Sequence, residues 1–221
     1  MLIDKMEIRS EAQVFEIDPG EVRAAVAGGA LVLDGRAPEA YDSGHIPGSV
    51  NVPLAGGEFA ARVRSAVGAA TAAIVVAGSD GESLAMAWNV ERGGCGPVRG
   101  ILAGGVEAYA GAGFDLARQH ALAAERVVDD LVLGGAMLID TRDDADWVRG
   151  HVPGSLHVPL ESVASAAPLL RRAPVVVACA DGRRAATAAS ILRRLGHASV
   201  WRVTGAGITQ LLSRRLDLGG V

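Results

Sequence analysis

Short apolar runs alternate along the chain with segments whose apolar positions recur at helical spacing, and the whole series is run through twice. In the first half, Val14 to Ile17 reads as a strand, and Asp18-Pro-Gly-Glu-Val-Arg opens a helix. The aspartate caps free N–H groups and the proline takes the first helical position. Gly28-Gly29 stops that helix before the strand Ala30 to Leu33. There follow a short helix Ala37 to Ser43, a strand Ser49 to Val52, a helix Phe59 to Val67 and a strand Ala73 to Ala77. The half closes with a helix Ser83 to Arg92, a strand Val98 to Leu102 and a helix around Gly105 to Ala110. The second half repeats the order: helix Ala124 to Leu133, strand Met137 to Ile139, short helix Asp144 to Val148, strand Leu156 to Val158, helix Leu160 to Arg171. The strand Val175 to Ala178, helix Arg184 to Leu195, strand Val200 to Val203 and helix Gly205 to Arg214 complete it. Such alternation predicts an α/β fold, with mainly parallel sheets flanked by helices.

The repetition extends to residue identity. Asp34 to Leu54 aligns without a gap on Asp140 to Leu160, identical at ten of 21 positions, among them Gly44/Gly150, His45/His151, Pro47/Pro153 and Gly48/Gly154. Identity concentrated on glycine, proline and histidine indicates a duplication, and so two domains. The weak periodicity between Ala112 and Ala123 places the boundary there, giving domains of residues 1–117 and 118–221. A second block sets Ala73-Ile-Val-Val-Ala-Gly78-Ser-Asp-Gly-Glu82-Ser83 against Pro174-Val-Val-Val-Ala-Cys179-Ala-Asp-Gly-Arg183-Arg184. In this alignment Gly78 stands in place of Cys179, and Glu82 and Ser83 in place of the two arginines. The first copy is then a degenerate site, with five extra residues between Leu54 and Ala73.

Cys179 carries the candidate chemistry. It follows a buried strand and precedes Ala180-Asp181-Gly182-Arg183-Arg184 and a helix. Backbone N–H groups in such a turn, the helix dipole and two arginines are all expected to lower a thiol pKa and produce a nucleophilic thiolate. The alternative is a structural cysteine at a strand end, since free cysteine is often buried. The flanking charges favour catalysis.

Composition narrows the classes. Half the residues are apolar and 21% charged, as in a soluble globular protein, and aromatics make up only 4%, so Val, Leu, Ile and Ala must build the cores. A net charge of -4 argues against nucleic acid as a partner. The first ten residues lack the cationic start and apolar core of a signal peptide, so none is expected, and no apolar run reaches membrane-spanning length. The two cysteines lie in different halves, without zinc-site spacing, and no metal is expected. A reducing cytoplasm is the expected compartment.

His45 and His151 occur in both copies whereas the cysteine occurs in one, so they read as holding the Gly-His-x-Pro-Gly turn rather than as general bases. Asp140 and Arg142 are likewise shared, with Asp34 and Arg36, and read as a supporting brace. Arg142 adds to the field if Asp140 ends its strand beside the Cys179 loop. Cys95 aligns with Gly196 and reads as a bystander rather than a resolving thiol. The arginines Arg149, Arg171, Arg172, Arg193, Arg194, Arg214 and Arg215 read as a solvated face, or as a docking surface for an acidic carrier protein.

With Asp-x-Arg, a short helix, Gly-His-(Ile/Val)-Pro-Gly-Ser and a strand-Cys-loop-helix, the chain resembles the rhodanese family of sulfurtransferases over nearly its whole length. Leu102-Ala-Gly-Gly also looks like the family's closing segment. The resemblance implies two tandem rhodanese-like domains, an inactive first and a catalytic second. It implies a Cys179 persulfide formed from a small anionic donor such as thiosulfate, with 3-mercaptopyruvate as the second choice. The sulfur passes to a thiol, cyanide or a sulfur-carrier protein, with no cofactor. Backbone N–H groups of Ala180, Asp181, Gly182, Arg183 and Arg184 hold the sulfur, and the two arginines bind the donor anion. The loop is shorter than that of phosphatases on this fold, whose arginine position is Ala185 here. Asp181 is at odds with anion binding unless it points outward or pairs with an arginine. The rival reading is a sulfur-relay or protein-binding module with little turnover on small donors.

Overall fold

The computed structural model describes residues 15–68, 72–127, 135–205 and 207–213. The first half runs β1 (Glu16–Ile17), α1 (Pro19–Ala27), β2 (Leu31–Asp34), α2 (Pro38–Ser43), β3 (Val50–Asn51), α3 (Phe59–Val67), β4 (Ala73–Val76), α4 (Asp80–Arg92), β5 (Val98–Leu102) and α5 (Gly105–Gly111). The second runs β6 (His120–Leu122), α6 (Ala124–Val127), β7 (Met137–Asp140), α7 (Asp144–Arg149) and β8 (Leu156–His157). A 3₁₀ turn (Leu160–Ser162) leads into α8 (Val163–Leu170), then β9 (Val175–Ala178), α9 (Arg183–Arg194), β10 (Val200–Val203) and α10 (Gly207–Ser213).

These strands form two parallel five-stranded sheets of the same order, β1-β5-β4-β2-β3 and β6-β10-β9-β7-β8. The central strands β2, β4 and β9 are buried at every position. Parallel strands covered by helices on both faces require such unbroken apolar runs. The Asp18 side chain accepts from the Glu21 N–H and Glu21 reaches back, a capping box that starts α1 where the Asp-Pro pair predicts it.

Several expectations need correction. β6 lies at the end of a segment expected to be a weakly patterned linker; His120 pairs with Trp201, so a tertiary partner makes a strand that its own residues do not specify. The expected helix Leu160 to Arg171 is divided into the 3₁₀ turn and α8, which carries Pro168 inside it. Val14, residues 128–133 of the helix expected from Ala124, and Arg214 lie outside the described residues.

Strand register also shifts the second block of the repeat by one residue. Asp34 pairs with Val76, and its equivalent Asp140 pairs with Ala178. Ala77, not Gly78, therefore stands in place of Cys179, while Gly81 and Glu82 stand in place of Arg183 and Arg184. The Asp-Gly pair common to both loops draws the sequence alignment one position out of step. The difference in length between Leu54 and β4 becomes four residues. With α3 matched to the 3₁₀ turn and α8, those four are Ala55, Gly56, Gly57 and Glu58.

Helix α9 joins the halves. Residues Ala185 to Leu192 are buried throughout, and this small-residue run packs into one core that takes side chains from both sheets, among them Leu33, Val50, Val75, Ile139 and Val177. Alanines and serine at the contact let backbone approach backbone. The Asn51 N–H donates to Ser190 Oγ across the junction at 3.0 Å. Arg194 at the far end of α9 donates to the carbonyls of Gly48 (2.7 Å) and Gly29 (2.9 Å), so it docks on the first half instead of facing solvent. The N-terminus of α9, with Cys179 just before it, is thereby held at the junction.

Candidate active site

Cys179 follows β9 at the carboxyl end of the second sheet, where ligand crevices form in open parallel sheets. Its backbone carbonyl accepts from the Ile208 N–H at 3.0 Å. The preceding strand end is braced by Thr141, whose N–H and Oγ both donate to the Ala178 carbonyl (3.0 and 3.1 Å). The Cys179 Sγ accepts from the N–H groups of Gly182 (3.1 Å) and Ala185 (3.3 Å). Ala185 is absent from the donors expected from sequence; it lies on the first turn of α9, where unpaired N–H groups turn toward the sulfur. Gly182 adopts φ 83°, the left-handed region that favours glycine, and this turn aims its amide at Sγ.

The thiol pKa is raised, contrary to expectation. Burial is the main cause, since Cys179 is only 1% exposed, and the Asp181 charge adds to it. The N–H groups of Ala185, Asp181 and Gly182 oppose the rise. The arginines expected to acidify the thiol are each spent on carboxylates. Arg183 pairs with Asp181 at 2.5 Å. Arg184 takes both oxygens of Glu58, Nε to Oε2 at 2.8 Å and Nη2 to Oε1 at 2.7 Å, with Asp143 at 3.5 Å. Asp181 thus pairs with an arginine, and its Oδ1 also accepts from the Arg183 N–H at 3.0 Å, at the start of α9. It corresponds to Ser79, whose Oγ accepts from the Glu82 N–H to start α4.

A cavity of about 270 Å³ opens over the sulfur, lined by Cys179, Ala180, Asp181, Arg183 and Arg184 and, from the first half, Gly57, Glu58 and Arg62. Its size is just under the range of about 300–1,000 Å³ usual for drug-sized ligands and suits a small anion. Glu58 and Arg62 are the site residues sequence reasoning misses; the extra residues before α3 are the only signal that points to them. Arg62 is 1% exposed. It donates to the carbonyls of Pro53 (2.8 Å), Ala55 (3.3 Å) and Gly57, so it pins the loop that carries Glu58. It has no carboxylate partner among the described residues, its Nε has no hydrogen-bond partner there, and burial followed by the Arg183 charge lowers its pKa.

The shared motif residues hold the scaffold. Arg142 binds Asp140 through Nε (3.0 Å to each oxygen) and Nη2 (2.6 Å), and Nη2 also donates to the Gly150 carbonyl at 2.7 Å. Arg36, Asp34 and Gly44 repeat this arrangement. Among the described residues Arg142 makes no hydrogen bond or ion pair with the sulfur loop; it ties the end of β7 to the Gly150 turn. His45 stacks on Tyr41 and contacts its carbonyl through Nδ1 at 2.8 Å; His151 does the same with Trp147 at 3.2 Å. Cys95 is buried in the core with its thiol toward the carbonyls of Gly93 (3.4 Å) and Ala60 (3.7 Å). It matches His197 in the turn after the helix rather than Gly196, since each N–H bonds back to the equivalent carbonyl, Val90 or Leu192. At the degenerate loop, the Ser83 hydroxyl accepts from the Ala77 N–H at 2.9 Å. No helix among the described residues is long and apolar enough to cross a membrane.

The family model for the rhodanese-like domain matches twice, over residues 18–112 and 123–209. The chain belongs to the rhodanese family. Two rhodanese-like domains stand in tandem, as the sequence resemblance implies. Among curated proteins it is similar to the thiosulfate sulfurtransferase GlpE of Pseudomonas fluorescens (strain SBW25), 36% identical over 74 residues, 32% of this chain and 66% of that protein. The GlpE of Pseudomonas aeruginosa (strain PAO1) is 35% identical over 85 residues, 37% of this chain and 76% of that protein. The match to the first of these relatives falls just short of two thirds of its length. Among solved structures, the 3-mercaptopyruvate sulfotransferase SseA of Escherichia coli is 18% identical with a TM-score of 0.39, covering 87% of this chain and 98% of that one. Membership of the rhodanese family is consistent with a sulfurtransferase mechanism in general.

Proposed function

We propose that the protein moves sulfane sulfur from a small anionic donor such as thiosulfate to a thiophilic acceptor through a persulfide on Cys179. The observation that carries this reading is the Cys179 sulfur under N–H groups of Gly182 and Ala185, at the base of a small cavity lined by Arg62, Arg183 and Arg184. The thiolate attacks the outer sulfur of thiosulfate; a new S–S bond forms, the old one breaks, and sulfite leaves with the bonding electron pair. An acceptor nucleophile (cyanide, a thiol or a sulfur-carrier protein) then attacks the terminal sulfur and returns Cys179 as thiolate. Two half-reactions through a covalent intermediate give ping-pong kinetics. The N–H groups steady the negative sulfur in both states, and no step needs a metal or cofactor. Residues 118–221 form the catalytic domain in this reading, with Cys179 as the nucleophile, Ala180 to Arg184 as the sulfur-holding loop, and Asp140 and Arg142 in support. Residues 1–117 supply one wall of the site. A reducing cytoplasm suits the two free thiols.

The burial of Cys179 and the carboxylates already on both loop arginines favour a second reading: a sulfur-relay module whose site opens for a partner protein and turns over small donors slowly. Intact mass after incubation of the reduced protein with thiosulfate tests both. Gain of about one sulfur atom in the wild type and none in Cys179→Ser is expected. No gain with thiosulfate or 3-mercaptopyruvate would overturn the small-donor reading and leave the relay.

A further inference from the structure

The four residues that the first half has and the second lacks, Ala55 to Glu58, lie over the Cys179 loop. Gly56 passes against the Arg183 guanidinium with φ 84°; a Cβ there would lie 2.6 Å from Nε. The left-handed backbone favours glycine here, and any added Cβ would oblige the Arg183 guanidinium to shift. Gly57 follows, and then Glu58, which at φ 61° is the one non-glycine residue with positive φ among those described. At the N-cap of α3 the Glu58 side chain makes no capping hydrogen bond, and its left-handed conformation costs a residue with a Cβ about 1–2 kcal/mol. What it gains is reach: both carboxylate oxygens meet Arg184 across the junction. Bidentate carboxylate on guanidinium is the geometry in which an arginine also holds a planar or tetrahedral oxyanion.

We propose that Glu58 occupies the donor-anion subsite on Arg184, an internal carboxylate that an incoming donor must displace, and so sets which anions reach Cys179. This rests on the sulfur-transfer reading for the identity of the donor, but not for the existence of the subsite. Glu58, Arg62, Arg184 and Cys179 line one cavity, so a donor that reaches the sulfur enters where the Glu58 carboxylate lies. Arg62 pins the loop from beneath through backbone carbonyls, which leaves the carboxylate able to swing out while its anchor stays. With Glu58 displaced, Arg184 retains only the more distant carboxylates, Asp143 at 3.5 Å and Asp146 at 4.0 Å. Donors with concentrated oxyanion charge then gain most, and neutral reagents gain only access.

The test uses the full chain in a Cys95→Ser background, so that Cys179 is the only thiol, with Glu58→Gln and Glu58→Asp. Alkylation of Cys179 by iodoacetate and by iodoacetamide is timed at one pH; both reagents draw on the same thiolate fraction, so their rate ratio isolates the effect of reagent charge. The Gln variant is expected to raise the iodoacetate-to-iodoacetamide ratio about fivefold, the scale of a partly exposed ion pair. The Asp variant, which keeps the charge and loses one methylene of reach, is expected to raise it too, and sulfate should protect both variants more than wild type. A ratio that rises with Gln alone would mean a general field effect and overturn the subsite; equal acceleration of both reagents would make the loop only a steric cover and do the same. In parallel, KM for thiosulfate is expected to fall by a similar factor with kcat little changed. If the ratio responds as described yet no variant takes sulfur from thiosulfate, the subsite stands and the sulfur-donor reading fails.

Discussion

Arg202 of β10 reaches out of the second half and clasps Asp42 at the end of α2 in the first, Nη2 to Oδ2 at 2.5 Å and Nε to the same oxygen at 2.9 Å. The arginine is 1% exposed, and Glu39 adds a contact to its Nη2 at 3.1 Å. Burial nonetheless raises the Asp42 pKa, with the hydrogen bond and charge of Arg202 pulling the other way. Removing one member therefore strands the other in a low-dielectric junction. Arg202→Ala is expected to destabilise the protein by about 3–5 kcal/mol, read from urea denaturation. Pairing Arg202→Met with Asp42→Leu should recover most of that loss. A double variant no better than Arg202→Ala would show that packing of the arginine stem, not the stranded charge, carries the effect.

Reactivity of Cys179 should climb late with pH. A thiol whose pKa is raised by burial holds its proton through neutral pH, so alkylation by iodoacetamide is expected to keep accelerating above the ordinary thiol range. Asp181 contributes to the rise and also occupies Arg183. Asp181→Asn removes a negative charge and frees a positive one, both of which favour thiolate, so its rate profile should move to lower pH. Burial remains the larger cause, so the shift should be partial. A profile that moves upward would mean that the Arg183 N–H bond to Asp181 shapes the loop more than its charge tunes the sulfur.

Gly182→Ala tests the turn itself. The nearest atoms to an added Cβ, the Gly205 carbonyl oxygen at 3.5 Å and Arg202 Nη1 at 3.7 Å, are at ordinary contact distance. The penalty is conformational, about 1–2 kcal/mol for a left-handed residue with a Cβ. We expect a modest fall in Tm and a larger fall in the rate of sulfur loading, since relaxing φ turns the Gly182 N–H away from Sγ. Normal loading at reduced stability would assign the holding of the sulfur to Ala185 alone.

Much of this was legible in the sequence because its cause is local. The Asp-x-Arg braces and the stacked His45 and His151 recur in both copies, and a feature present with and without the cysteine must serve the scaffold. The strand of Val175 to Ala178 shows as an apolar run because both of its faces are covered. Three things were hidden, each by a long-range cause. The charge state of the loop depends on Glu58, 126 residues before Arg184. The strand β6 exists through its pairing with β10. The register of the degenerate loop is set by backbone pairing of Asp34 with Val76, whereas the alignment follows Asp-Gly identities that fall one residue away.

That register makes a prediction about rebuilding the lost site. Alignment by identity nominates Gly78→Cys as the restoring change; strand register nominates Ala77→Cys. Neither is expected to load sulfur in a Cys179→Ser background. At position 78 a new Cβ would lie 2.7 Å from the Glu82 carboxylate, which must move aside, and the thiol would not occupy the strand-end position. At position 77 a thiol would meet the Ser83 hydroxyl, which already accepts the Ala77 N–H, and would face Glu82 where the active copy has Arg184. A negative charge there opposes both thiolate formation and donor binding. Ala77→Cys combined with Glu82→Arg and Ser83→Ala is the smallest set that restores the charge and clears the place of the sulfur. Mass gain with thiosulfate in the triple variant and in neither single one is the expected outcome. Gain in Gly78→Cys alone would mean that the loop, and not the strand, sets the position of the nucleophile.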